Sequence, residues 1–176
     1  AEQVLEKGLV FSLNQSEDGY IVAGASGHAF TGKNLVLPDY YNGLPVVAID
    51  ANGFKDQTAI KRIKFPKFVQ EIGAYAFSGC TGLDELDLPL AVNNVKTQAF
   101  YNCTGLETVI AHPLTPPTIA ADAFGNLANT CKLYVAPFSL SSYQSVGISF
   151  NQTAHIEYLT SENAGVKMVN VDDALI

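Results

Sequence analysis

Three consecutive stretches, 46–68, 69–91 and 92–114, align without a gap at 23 residues each, and this period constrains the fold more than any other feature of the chain. Corresponding positions fall as Val46/Val69/Val92, Ile49/Ile72/Val95, Phe54/Phe77/Phe100, Ile60/Leu83/Leu106, Ile63/Leu86/Val109 and Phe65/Leu88/Ala111. A fourth, looser copy at 115–137 carries Ile119, Phe124, Leu133 and Val135, with a step of 24 from Phe100 and a departure over 125–130. A unit this short cannot hide its own apolar side chains, so successive units must stack and share one continuous core. With 48% hydrophobic residues among 176, the chain can supply that core as a single domain.

Within a unit, the spacing of Leu83, Leu86 and Leu88 suits a short parallel strand whose alternate side chains point inward. Ala74 to Gly79 has helical spacing too brief for a free helix, which predicts one helical turn per repeat, held by packing of Phe77. Gly79 or Gly82 supplies the positive φ that returns the chain to the strand.

The string I-G-A-Y-A-F-S-G-C-T-G-L-D-E-L-D-L-P, from Ile72 to Pro89, resembles the BspA-type leucine-rich repeat and its I-x-x-x-A-F-x-x-C-x-x-L-x-x-I-x-[LI]-P frame. The resemblance covers residues 36–137. It implies an α/β fold: a right-handed leucine-rich-repeat solenoid of short parallel strands with brief helical turns and a small β cap at the N-terminus. Repeat one departs with Gly53 in place of the alanine and Gln57 in place of the cysteine, and repeat three has His112 where the frame has proline.

The ends extend this reading. Residues 1–45 form an N-terminal cap, in which Leu9 to Leu13 and Tyr20 to Ala23 make two strands around Asp18-Gly19, and Asn42-Gly43 turns the chain into the first repeat. Residues 46–137 hold the repeats, and 138–160 a C-terminal cap with Ser139 as helix N-cap, Gly147 as stop and a last strand over His155 to Leu159. Residues 161–176 read as a tail or linker.

The residues offer little to catalysis. His28, His112 and His155 lack metal-ligand spacing, and no nucleophile elbow, papain-type cysteine, G-x-G-x-x-G or P-loop occurs, so neither an enzyme, a metal nor a cofactor is expected. Cys80 and Cys103 share one repeat position, about 5 Å apart on adjacent coils, and read as buried free thiols, with a disulfide between them as the alternative. Cys131 is off that register and should stand apart. Asp84, Glu85 and Asp87 fall on an exposed strand face beside Lys61, Arg62 and Lys64 of the previous coil, which predicts lateral ion pairs, Arg62 with Glu85 among them, rather than a carboxylate pair for hydrolysis.

A net charge of -7 disfavours nucleic acid and anionic membrane surfaces, and no apolar run reaches the roughly 20 residues of a membrane span. The default functional surface of an open solenoid is its exposed face, here Lys61, Arg62, Lys64, Asp84, Glu85, Asp87, Glu107, Thr108 and Ile110, with Ile110 as an exposed apolar centre ringed by charge. The resemblance adds a secreted or cell-surface location, with any signal peptide removed, and a protein or glycan ligand outside the cell. The expectation is a module for protein–protein interaction or adhesion. A carbohydrate-recognition role, resting on Tyr40, Tyr41, Tyr101 and Tyr134, and a spacer role for a neighbouring domain are the alternatives.

Overall fold

The computed structural model describes residues 5–145 and the backbone of 156–158. Strands β1 (Leu9–Leu13) and β2 (Tyr20–Gly24) form an antiparallel hairpin, followed by β3 (Asn34–Val36), β4 (Tyr40–Tyr41), β5 (Leu44–Ile49), β6 (Arg62–Lys64), β7 (Glu71–Ile72), β8 (Glu85–Leu88), β9 (Asn94–Val95), β10 (Thr108–Ala111), β11 (Thr118–Ile119) and β12 (Lys132–Val135). A 3₁₀ turn at Pro137–Ser139 leads into α1 (Leu140–Ser145), and β13 (Ile156–Tyr158) closes the series.

The strands sort into two walls. In the first, β2, β5, β7, β9 and β11 stack in parallel, with β1 antiparallel at the outer edge. In the second, β8, β10, β12 and β13 stack in parallel, and β3 pairs in parallel with β6. The Asp84 N–H donates to the Lys61 carbonyl at 3.1 Å, carrying the second wall across from β6 to β8. The observed pairs Ala111↔Leu88, Val109↔Leu86 and Ile72↔Val95 reproduce the 23-residue register.

Between the walls runs a column of phenylalanine rings. Phe54, Phe77, Phe100 and Phe124 stack with centroid separations of 5.3, 5.5 and 5.2 Å and interplanar angles below 10°. All four are buried, as are the aligned positions Val46/Val69/Val92 and Ile60/Leu83/Leu106. Phe30 extends the column into the cap, 5.4 Å from Phe54. The two departures of repeat one belong to this junction. The Gln57 side chain accepts from the Phe30 N–H and donates to the His28 carbonyl, each at 2.9 Å, and Gly53 lets Gly24 N–H reach its carbonyl where a Cβ would crowd Asp50 O and Ala23.

The helical turn expected in each repeat is absent. Ala74 to Gly79 is a run of turns, as are its counterparts in neighbouring coils. Alternate amides there take opposite partners: Ala76 and Ser78 donate back to Gly73 and Tyr75, whereas Tyr75, Phe77 and Gly79 donate forward to Thr97, Ala99 and Tyr101 on the next coil. A helix would spend all these donors within its own coil, and hydrogen bonding between coils wins because it also fixes the stacking distance. The pattern demands two left-handed residues per coil, supplied by Asn52/Tyr75/Gln98 and by Asp56/Gly79/Asn102/Asn126. Of the two candidate glycines, Gly79 has the positive φ, and Gly82 is needed for close approach, since a Cβ there would collide with the Thr58 carbonyl.

In the looser fourth copy, a side chain replaces one forward bond: the Asp122 carboxylate accepts from Thr97 Oγ1 at 2.8 Å and from Gln98 N–H at 3.3 Å. These bonds, led by that from Thr97, hold the carboxyl below its usual pKa. At the C-terminal end, Ser139 precedes α1 but turns its hydroxyl to the Leu114 carbonyl at 2.8 Å, and buried Tyr143 donates to the Pro113 carbonyl at 2.8 Å. Gly147 lies outside the described residues.

Candidate functional site

Strand alternation sends Ile63, Leu86, Val109 and Leu133 into the core and turns their neighbours outward. Two outward rows cross the second wall: Asn34, Arg62, Glu85, Thr108 and Lys132, and then Val36, Lys64, Asp87, Ile110 and Tyr134. Lys61, Asp84 and Glu107 stand just before the strands, joined through the bonds from Asp84 N–H to Lys61 O and from Glu107 N–H to Asp84 O.

The basic and acidic coils meet as the register requires. Arg62 reaches Glu85 at 3.0 Å and Asp84 at 3.3 Å. Lys64 lies 4.0 Å from Asp39, whose carboxylate also accepts the Lys67 N–H at 2.7 Å, so a loop acid unmarked by the repeat joins the network. Lys61 and Glu107 are exposed, whereas Asp84, Glu85, Asp87 and Thr108 are half-buried rather than fully exposed. Surface pairs of this kind contribute little stability and chiefly order the face.

Ile110 is a correction. Only 1% of its surface is exposed, so it is no apolar contact point. It points outward by alternation yet lies between Asp87 and Tyr134 on the flanking strands. His112, two residues on, is also buried, with Nε2 2.5 Å from Asp87 Oδ1. The later part of β10 is therefore closed to a partner, while Glu107 and part of Thr108 remain accessible beside the earlier coils. There Val36 is 49% exposed, at the row position taken by Ile110 further along. The alternation of Leu35, Val36 and Leu37 carried this signal.

The tyrosines are mostly engaged in packing. Tyr41 stacks on Phe11 at 3.9 Å and meets Tyr20 edge-on, Tyr101 crowds the face of Gly125, and Tyr134 is half-buried within β12. Tyr40 is the exposed one, edge-on to Phe68.

The cysteines are free and buried, in an environment opposed to thiolate chemistry. Cys80 and Cys103 each donate to a carbonyl of the preceding coil, Phe54 O and Phe77 O, at 3.2 Å. Burial pushes the Cys80 and Cys131 thiols up to about 12 and raises Cys103 further.

Short parallel strands at a 23-residue period, turns in place of helices and an apolar column between two walls define a leucine-rich-repeat solenoid. The BspA type Leucine rich repeat region matches residues 47–169 in six copies, and the chain belongs to that family. Solved structures agree. The leucine-rich-repeat protein of T. pallidum is 25% identical with a TM-score of 0.61, over 76% of this chain and 71% of that one. One from Bacteroides ovatus is 20% identical with a TM-score of 0.61, over 77% of this chain but 38% of that one. A leucine rich cell surface protein of Faecalibacterium prausnitzii, 15% identical with a TM-score of 0.51, is matched over 84% of this chain and 42% of its own length. No curated protein matches the sequence. Repeats of this family generally bind proteins and serve as scaffolds rather than enzymes. Among the described residues no helix is long and apolar enough to cross a membrane.

Proposed function

We propose that the chain is a protein-binding module displayed outside the cell, secreted or on a cell surface, and that it acts in adhesion through the outward face of the second wall. The observation that carries this reading is the contrast between rows: inward positions repeat from coil to coil, whereas outward ones change from Lys61, Arg62 and Lys64 to Asp84, Glu85 and Asp87, and then to Glu107 and Thr108. Lateral pairing of Arg62 with Asp84 and Glu85 uses part of that variation between coils, and partner recognition has a use for the rest, the exposed Lys61 and Glu107 among it. Burial removes Ile110 from the contact surface and leaves the charged coils as its centre. The small face implies weak affinity for one module, with firm attachment reached through several copies or further domains.

Surface plasmon resonance against immobilised extracellular-matrix proteins, run beside a glycan array, tests the proposal. Capture of a matrix protein should weaken about tenfold on Asp84→Lys or Glu107→Lys in variants that melt like the parent. Binding to glycans alone, or protein binding indifferent to both changes, would overturn it.

A further inference from the structure

The two walls are finished differently at their N-terminal ends. The β1–β2 hairpin extends the first wall beyond β5, but β3 is the last strand of its own pair, and among the described residues nothing pairs with its other side. The Arg62 N–H donates to the Lys33 carbonyl and the Leu37 N–H to the Lys64 carbonyl, so the backbone of Lys33, Leu35 and Leu37 faces β6. Along a strand these groups alternate sides, which turns the N–H and C=O of Asn34 and Val36 toward the open edge. Both residues are exposed.

The ground around this edge is basic. Lys33, Lys61, Arg62, Lys64 and Lys67 are five of the ten Lys and Arg residues in a chain of net charge -7. All five are exposed, and among the described residues Lys33, Lys61 and Lys67 enter no ion pair. Beside them stand the exposed apolar side chains of Val36, Tyr40 and Phe68. Lysines at an edge discourage pairing with uncharged or basic strands. The same charges attract an acidic one, and an open edge offers it main-chain hydrogen bonds that a flat basic patch does not.

We propose that β3 is a docking edge for an extended acidic polypeptide segment of a partner protein, which adds as a further strand beside Lys33 and within the field of Lys61 and Lys64 one strand further in. This refines the proposed protein-binding role by naming a partner class, and it can fail separately from the reading of the wider face.

The probe is an end-blocked octapeptide alternating valine and glutamate, titrated into the whole chain by calorimetry and amide NMR. The expected result is slowed hydrogen exchange at the Asn34 and Val36 amides, affinity that falls with salt, and binding about tenfold weaker for an alternating valine–lysine peptide and for one N-methylated at alternate residues. Val36→Pro removes one edge donor at a position where a solvent-facing edge tolerates proline, and should weaken binding about tenfold without lowering the melting temperature. Lys61→Glu with Lys64→Glu should do the same while leaving the edge donors in place. No binding at millimolar peptide, or equal binding of the N-methylated peptide, overturns strand addition. Heparin binding to the lysines without protection of Asn34 and Val36 assigns the patch to a sulfated glycan and also overturns it. Matrix-protein capture that persists in Val36→Pro but is lost in Asp84→Lys leaves the face reading standing and removes the edge.

Discussion

The inward and outward sides of the second wall are made by the same strands and follow opposite rules. Inward, Ile63, Leu86, Val109 and Leu133 differ by little more than a methyl group, and the phenylalanine column behind them keeps a spacing of 5.2 to 5.5 Å. Outward, Val36, Lys64, Asp87, Ile110 and Tyr134 share a register and no chemistry. An inward side chain must fit the coils above and below it, whereas an outward one answers to lateral neighbours and to whatever lies over it. Repetition thus marks what holds the solenoid together, and variation marks where its use resides.

The sharpest way to break the comparison is to charge the inside. Folded Cys80, Cys103 and Cys131 hold their protons well above the ordinary thiol value of 9.0, chiefly through burial, so the folded state binds protons that the unfolded chain has lost. Their contribution is complete below pH 9 and disappears as pH rises toward 12. Each thiol that titrates only on unfolding removes stability as the pH rises, and the three act in the same direction. Denaturant melts should be flat from pH 6 to 8 and fall steeply above 9, with a shallower fall in a Cys80→Ala, Cys103→Ala variant. An unchanged slope in that variant would remove the thiols from the account.

Core truncation comes next. Phe77→Ala should cost about 3–5 kcal/mol in urea melts, because the ring is stacked on both sides and the cavity cannot close without breaking the column. A loss below 1 kcal/mol would mean that the coils can slide to refill the space. Within the outward row, Ile110→Ala should cost about 2–4 kcal/mol and Val36→Ala under about 0.5 kcal/mol, although both occupy one strand position. Similar losses at the two would contradict the burial difference between them.

The smallest effect is lateral. A double-mutant cycle on Arg62 and Glu85 should yield a favourable coupling of about 0.2–1 kcal/mol that shrinks in high salt, since the arginine is largely solvated. Zero coupling at low ionic strength would mean that the pair is fully solvated and adds nothing to stability.

The amino-acid sequence by itself determined the coil length, the register and the identity of nearly every inward residue, because a period of 23 lets each position be read three times over. It also placed Arg62 beside Glu85, since lateral neighbours in a parallel stack are one period apart. Only the tertiary structure decided the rest. Tyr75 and Gln98 adopt left-handed backbone that their side chains do not favour, because the amide of Tyr75 is claimed by the next coil's Thr97 carbonyl and that of Gln98 by the Asp122 carboxylate. The same claim unwinds the helical turn that local spacing suggested. Burial of Ile110 differs from that of its counterparts in other coils, and the hairpin that closes one wall while leaving β3 open lies outside the repeat's register. A periodic pattern specifies contacts between equivalent positions, and it is silent wherever a coil meets something that is not another copy of itself.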